Sequence, residues 1–138
     1  MSLNQAQRTA VSTTLLHLER ALDEIERLLD GPSSGVTYTT EVNLAPTTAQ
    51  QIRRVCGDIR SEIAAMAERF ELPPHRWYGR QVIVGEMTST WTNLEEIRPE
   101  RLRRFGAVDP TLTETLAPGL ERLIQLVWAV QNLASRGE

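Results

Sequence analysis

Residues 11–31 read VSTTLLHLERALDEIERLLDG, and this stretch decides the fold class. Val11, Leu15, Leu18, Leu22, Ile25 and Leu29 follow one another at intervals of 4, 3, 4, 3 and 4 residues. That is a heptad seam along one face of a helix, and a strand, which alternates every second residue, does not produce it. The seam predicts a helix from about Asn4 to Asp30. Asp30-Gly31-Pro32 stops it, because glycine accepts a left-handed backbone and proline cannot continue a helix.

The same spacing recurs downstream. Ile52, Cys56, Ile59, Ile63, Met66 and Phe70 predict a second helix from Pro46 to Phe70, with Thr48 and Gln51 as its capping box and Pro73-Pro74 at its end. Val84, Met87, Trp91, Leu94 and Arg98 predict a third helix from Arg76 to Ile97. Pro99 then opens a short helical turn that Gly106 closes. Asp109-Pro110 signals a fourth long helix, whose seam is Leu112, Leu116, Leu120, Leu123, Val127, Val130 and Ala134. Pro118 lies inside that run and should kink it or split off a first turn near Thr115.

The expected architecture is all-α: a four-helix bundle over residues 1–138, up-down-up-down, with the short Pro99 helix between the third and fourth helices. The stretch from Gly31 to Ala45 is long for a bundle loop and could also let the first two helices run parallel. Within it Val36, Tyr38, Thr40 and Val42 alternate as a short strand would, and such a strand needs a partner from a hairpin or another chain.

Composition narrows the function classes. The 138 residues are 41% apolar and 24% charged, the range of an ordinary globular domain. A net charge of −3 gives no chain-wide attraction to nucleic acid or anionic lipid. All 15 basic residues are arginine, which excludes a Schiff-base, P-loop or general-base lysine. Cys56 is alone and falls on an apolar stripe, so it reads as a small core residue. No apolar run is long enough to span a membrane, and no leader pattern opens the chain; the expected setting is the cytoplasm.

No catalytic motif stands out, and neither a cofactor nor a metal is expected. His17 and His75 lack the Glu-x-x-His spacing of di-iron bundles, and His17 reads as a partly buried structural residue. Glu19, Asp23, Glu24 and Glu26 read as a solvated face, a magnesium site on Glu19 and Glu26 with carboxylates from another helix being the weaker alternative. The last helix is more apolar than one bundle requires: Ala117, Ile124 and Trp128 form a second strip, and Leu126 and Leu133 widen it further. The expected function is therefore a non-catalytic, self-associating interaction or scaffold module, a homodimer touching through Ile124, Trp128 and Tyr38.

The alternative is a small anionic-ligand-binding bundle or an enzyme. Its pocket would lie at one bundle end, formed by Trp77, Tyr78, Arg80 and Trp91. Arg98, Arg101, Arg103 and Arg104, opposed only by Glu100, form an anion patch for phosphate or an acidic partner. Nucleic-acid binding through it ranks lowest because the overall charge opposes it.

Overall fold

Asn4 starts the first helix. Its side chain accepts from the Gln7 backbone N–H at 2.8 Å while the Gln7 side chain accepts from the Asn4 N–H at 3.0 Å, a reciprocal capping box. The computed structural model describes residues 2–136, which divide into two compact units, one ending at His75 and one beginning at Arg76. Helix dominates both, and the described strands form one two-stranded sheet.

The first unit pairs α1 (Gln5–Leu29) with α2 (Pro46–Arg69). Leu22, Cys56 and Ile63 are buried between them, with Leu15, Ile52 and Ile59 packed alongside. Ion contacts fix the direction. Arg8 at the start of α1 donates to the carbonyls of Phe70, at 2.8 Å, and Glu71 at the end of α2. Arg53, near the start of α2, meets Asp30 at the end of α1 at 2.8 Å. The two helices are therefore antiparallel, and the parallel alternative for the long connection falls.

That connection is a β-hairpin. β1 (Ser33–Ser34) pairs antiparallel with β2 (Thr39–Thr40), Ser33 opposite Thr40 and Ser34 opposite Thr39. The Gly35 N–H donates to the Tyr38 carbonyl at 3.0 Å, leaving Val36 and Thr37 as the loop. The expected strand thus finds its partner locally. The Tyr38 ring packs over Gly35 and would lie 2.7 Å from a Cβ at that position.

α2 departs from expectation at both ends. Ala45 is its N-cap and no side chain caps it, so Thr48 and Gln51 form no capping box; Pro46 sits in the first turn, where a missing N–H costs nothing. Its C-terminus closes ahead of the two prolines. Leu72 N–H donates to Ala67 at 2.8 Å and Glu71 N–H to Glu68 at 3.2 Å. This is a Schellman closure with Glu71 at φ 52°, a backbone that glycine usually provides.

The second unit pairs α3 (Gly79–Glu95) with α6 (Ala117–Ser135). Trp91 meets Trp128, and Gln131 donates to the Thr88 hydroxyl at 2.9 Å, so this pair is antiparallel too. α4 (Pro99–Leu102) runs into a 3₁₀ turn over Arg103–Phe105, which Gly106 ends at φ 144°. Asp109 accepts from the backbone and hydroxyl of Thr111, at 2.9 and 2.8 Å. α5 (Leu112–Thr115) is a single turn, set off from α6 at Leu116. Pro118 lies in the first turn of α6, so the expected split occurs as the proline geometry requires.

Candidate functional site

α6 carries two apolar stripes. Ala117, Leu120, Ile124, Val127, Gln131 and Ala134, spaced 3, 4, 3, 4 and 3, are all buried or half-buried. The stripe one residue back, about 100° round the helix, contains Leu123, Leu126, Val130 and Leu133. These side chains are between 43% and 65% exposed. Their spacing is again 3, 4 and 3, a second heptad seam that the pairing with α3 leaves half-exposed. Arg122 and Arg136 flank this open seam, and neither makes an ion pair among the described residues.

This corrects the expected contact set. Ile124 is 7% exposed and belongs to the interior, so it cannot serve as an open contact residue. Trp128 is half-exposed and packs edge-on against Trp91, with ring centroids 6.1 Å apart and planes at 71°. Tyr38 is exposed at the hairpin beside its own Gly35. The accessible apolar surface of α6 is the Leu123–Leu133 stripe, of which Leu126 and Leu133 were anticipated as surplus.

The expected anion patch is largely neutralised. Arg98 donates to both carboxylate oxygens of Glu95, at 2.5 and 3.0 Å, and also binds Glu121 of α6. Arg101 pairs with Glu96 at 3.0 Å, and Arg104 reaches the other oxygen of the same carboxylate while standing 5.4 Å over the Phe105 ring. The hydrogen bonds that Arg98 donates lower the Glu95 pKa, and acceptance of them by Glu95 and Glu121 raises that of Arg98. Glu100 is therefore not the sole opposing charge. Glu95 and Glu96 stand just upstream of the cluster, and Glu121 comes from another helix. Arg103 lines a shallow groove with Glu100 and Asp109, and the Thr111 N–H and hydroxyl lower the Asp109 pKa.

The expected ligand residues come together only in part. Tyr78 and Arg80 line an open groove of about 680 Å³ with Gln81, Ile83, Leu133 and Ala134. Trp91 is away from it, engaged with Trp128, and Trp77 is not among its lining residues. Arg80 is exposed and makes no ion pair among the described residues.

In the first unit the acidic run of α1 serves an arginine. Arg60 of α2 contacts Asp23 and Glu26 at 2.7 Å each and Glu19 at 3.9 Å. Glu19 and Glu26, weighed for magnesium, thus converge with Asp23 on a guanidinium, Glu24 pairs with Arg27 at 2.6 Å, and among the described residues no three His, Cys, Asp or Glu side chains group to hold an ion. His17 is exposed rather than partly buried, and Cys56 is a buried free thiol. A groove of about 280 Å³ lies between the helices, with Ser12, Glu19, Arg60 and His75 over an apolar floor. Among the described residues no helix is long and apolar enough to cross a membrane.

Compared with family models, curated proteins and solved structures, the chain matches none.

Proposed function

We propose that the chain is a non-catalytic, self-associating helical interaction module whose contact surface is the open stripe of α6. The observation that carries this reading is Leu123, Leu126, Val130 and Leu133 standing half-exposed on a helix whose neighbouring stripe is already filled. A helix apolar on more than one side is characteristic of one covered on more than one side.

Sedimentation equilibrium tests the reading. Wild type is expected to be a dimer at micromolar concentration and Leu126→Glu a monomer with unchanged helical circular dichroism. A wild type that stays monomeric at the highest attainable concentration would remove the proposal. The bundle of four long helices belongs to the same reading: each antiparallel pair is half of such a bundle. A cytoplasmic setting belongs to it too, supported by the free, buried thiol of Cys56.

A second reading, anion binding, is favoured by one place. Arg80 and Gln81 lie in the first turn of α3, which no side chain caps, and both line the same groove as Tyr78. Titration with inorganic phosphate, followed by tryptophan fluorescence, tests it. An unchanged spectrum for wild type would dispose of it.

A further inference from the structure

We infer that the groove between α1 and α2 binds a small organic cation, an ammonium group carried on an apolar body about 10 Å long. The site lies wholly within the first unit and is independent of the contact surface proposed for α6.

The helix pair builds the groove from matching positions. On α1 the lining runs from Ser12 to Glu19 and on α2 from Arg60 to Ala67, both at intervals of 3, 1 and 3 residues. Seven residues of helix rise about 10 Å, which sets the length of the trough. Because the helices are antiparallel, Glu19 and Arg60 share one end, and Ser12 and Ala67 the other. Leu15, Leu16 and Ile63 give it an apolar floor. The room comes from α2, where Ala64 and Ala67 stand at positions that longer side chains would fill. The volume of about 280 Å³ falls just below the roughly 300–1,000 Å³ of drug-sized ligand sites. A helix, about 10 Å across with its side chains, does not enter such a trough, whereas a small molecule does.

Charge selects the sign of the ligand. Arg60 is already engaged, its Nε donating to Glu26 and its Nη2 to Asp23, both at 2.7 Å. Glu19 stands 3.9 Å from Nη1, beyond hydrogen-bond distance, so it takes no hydrogen bond from Arg60. Three carboxylates thus face one guanidinium, and of the three only Glu19 lines the groove. An anion entering this end meets Glu19 and a guanidinium whose charge is already compensated. An ammonium meets a carboxylate that it can bind through charge-assisted hydrogen bonds. Its apolar body then lies along Leu15, Leu16 and Ile63 and takes them out of water.

Methyl NMR of the full chain tests the site, since the tryptophans all lie in the second unit. The probe is phenylbutylammonium, which matches the trough in length; phenylbutanol and phenylbutyrate carry the same body with a neutral and a negative head. Titrations are run at pH 8, where ordinary imidazoles are uncharged. The ammonium probe should shift the methyl resonances of Leu15, Leu16, Ile63 and Ala64 saturably and bind about threefold to fivefold more tightly than the alcohol. The carboxylate probe should bind more weakly than either. Glu19→Gln should remove the advantage of the ammonium and leave the affinity of the alcohol unchanged. Ala64→Phe, at an exposed position, should abolish the shifts, with circular dichroism verifying the fold.

No saturable shift up to the solubility limit of the ammonium probe would overturn the groove as a ligand site, and so would shifts that persist in Ala64→Phe. Equal affinity for the three heads would overturn the selection of a cation. An ammonium advantage that survives Glu19→Gln would overturn Glu19 as its anchor.

Discussion

Replacing Leu22 by alanine tests the first unit most sharply. Leu22 is 2% exposed and sits opposite Cys56 and Ile63. Leucine-to-alanine changes at buried sites cost about 2–5 kcal/mol, the spread reflecting how far the site collapses. Here Leu15, Ile52 and Ile59 are only partly buried and can move into the space, so a cost near the low end, about 2.5–3 kcal/mol, is expected. With a urea dependence of about 1 kcal/mol per molar for a body this small, the midpoint should fall by roughly 2.5–3 M. Leu18, at 39% exposure, provides the comparison; its alanine variant should lose about 1 kcal/mol by partial transfer alone. The assay is urea titration at fixed protein concentration, since association would shift the midpoint. Far-ultraviolet circular dichroism follows both units, whereas Trp77, Trp91 and Trp128 all lie in the second. If the fluorescence midpoint moves with the dichroism midpoint, the two units unfold as one body. A Leu22→Ala cost no larger than that of Leu18→Ala would refute the placement of the core.

Glu71→Gly should stabilise the chain by about 1 kcal/mol, because Glu71 occupies a left-handed backbone that costs a side-chain-bearing residue about that much; a lower urea midpoint would contradict the Schellman closure. Glu95 and Asp109 have lowered pKa values in the folded chain, so their contribution is present above the unfolded carboxylate range and is lost as pH falls through the folded values. Stability should therefore drop below about pH 4, with a shallower drop in Glu95→Gln; an equal slope in the variant would show that Arg98 does not hold the carboxylate. Gly35→Ala should leave overall stability within about 0.5 kcal/mol yet shift the Tyr38 ring resonances, since the new Cβ would displace only the ring; unmoved resonances would mean that the ring is not packed over Gly35.

What could be read in advance was whatever depends on neighbours in the chain. The Asp30-Gly31-Pro32 stop, the turn at Pro99 closed by Gly106 and the split before Pro118 each follow from backbone constraints on one or two residues, and all three occur. The capping box at Thr48 failed because proline in the first turn of α2 moved the helix start ahead of it. The charge assignments failed for a different reason. Arg98 looked weakly opposed when only its near neighbours were considered, but one of its carboxylates lies 23 residues downstream, on α6. Arg60 likewise draws Asp23 and Glu26 from across the helix pair. Long-range ion pairs leave no local pattern, because each partner is an ordinary member of a charged face.

The last helix shows where periodicity itself becomes ambiguous. The expected seam joined Leu116, Leu123 and Val130 to Leu120, Val127 and Ala134, but these are alternating members of two stripes about 100° apart. Each stripe repeats every seven residues, and because both are apolar a reading along the chain can pass from one to the other without a break. Only burial separates them. Leu120 and Ile124 are interior, while Leu123 and Val130 are exposed. Ile124 was assigned to the outside for the same reason that Leu123 was assigned to the inside: the boundary between the stripes falls between adjacent residues. A helix that serves one interface keeps polar residues on its remaining faces, and those residues mark the seam. α6 lacks that marking along the Leu123–Leu133 face, so the property that obscured its inner seam is also the observation on which the proposed contact surface rests.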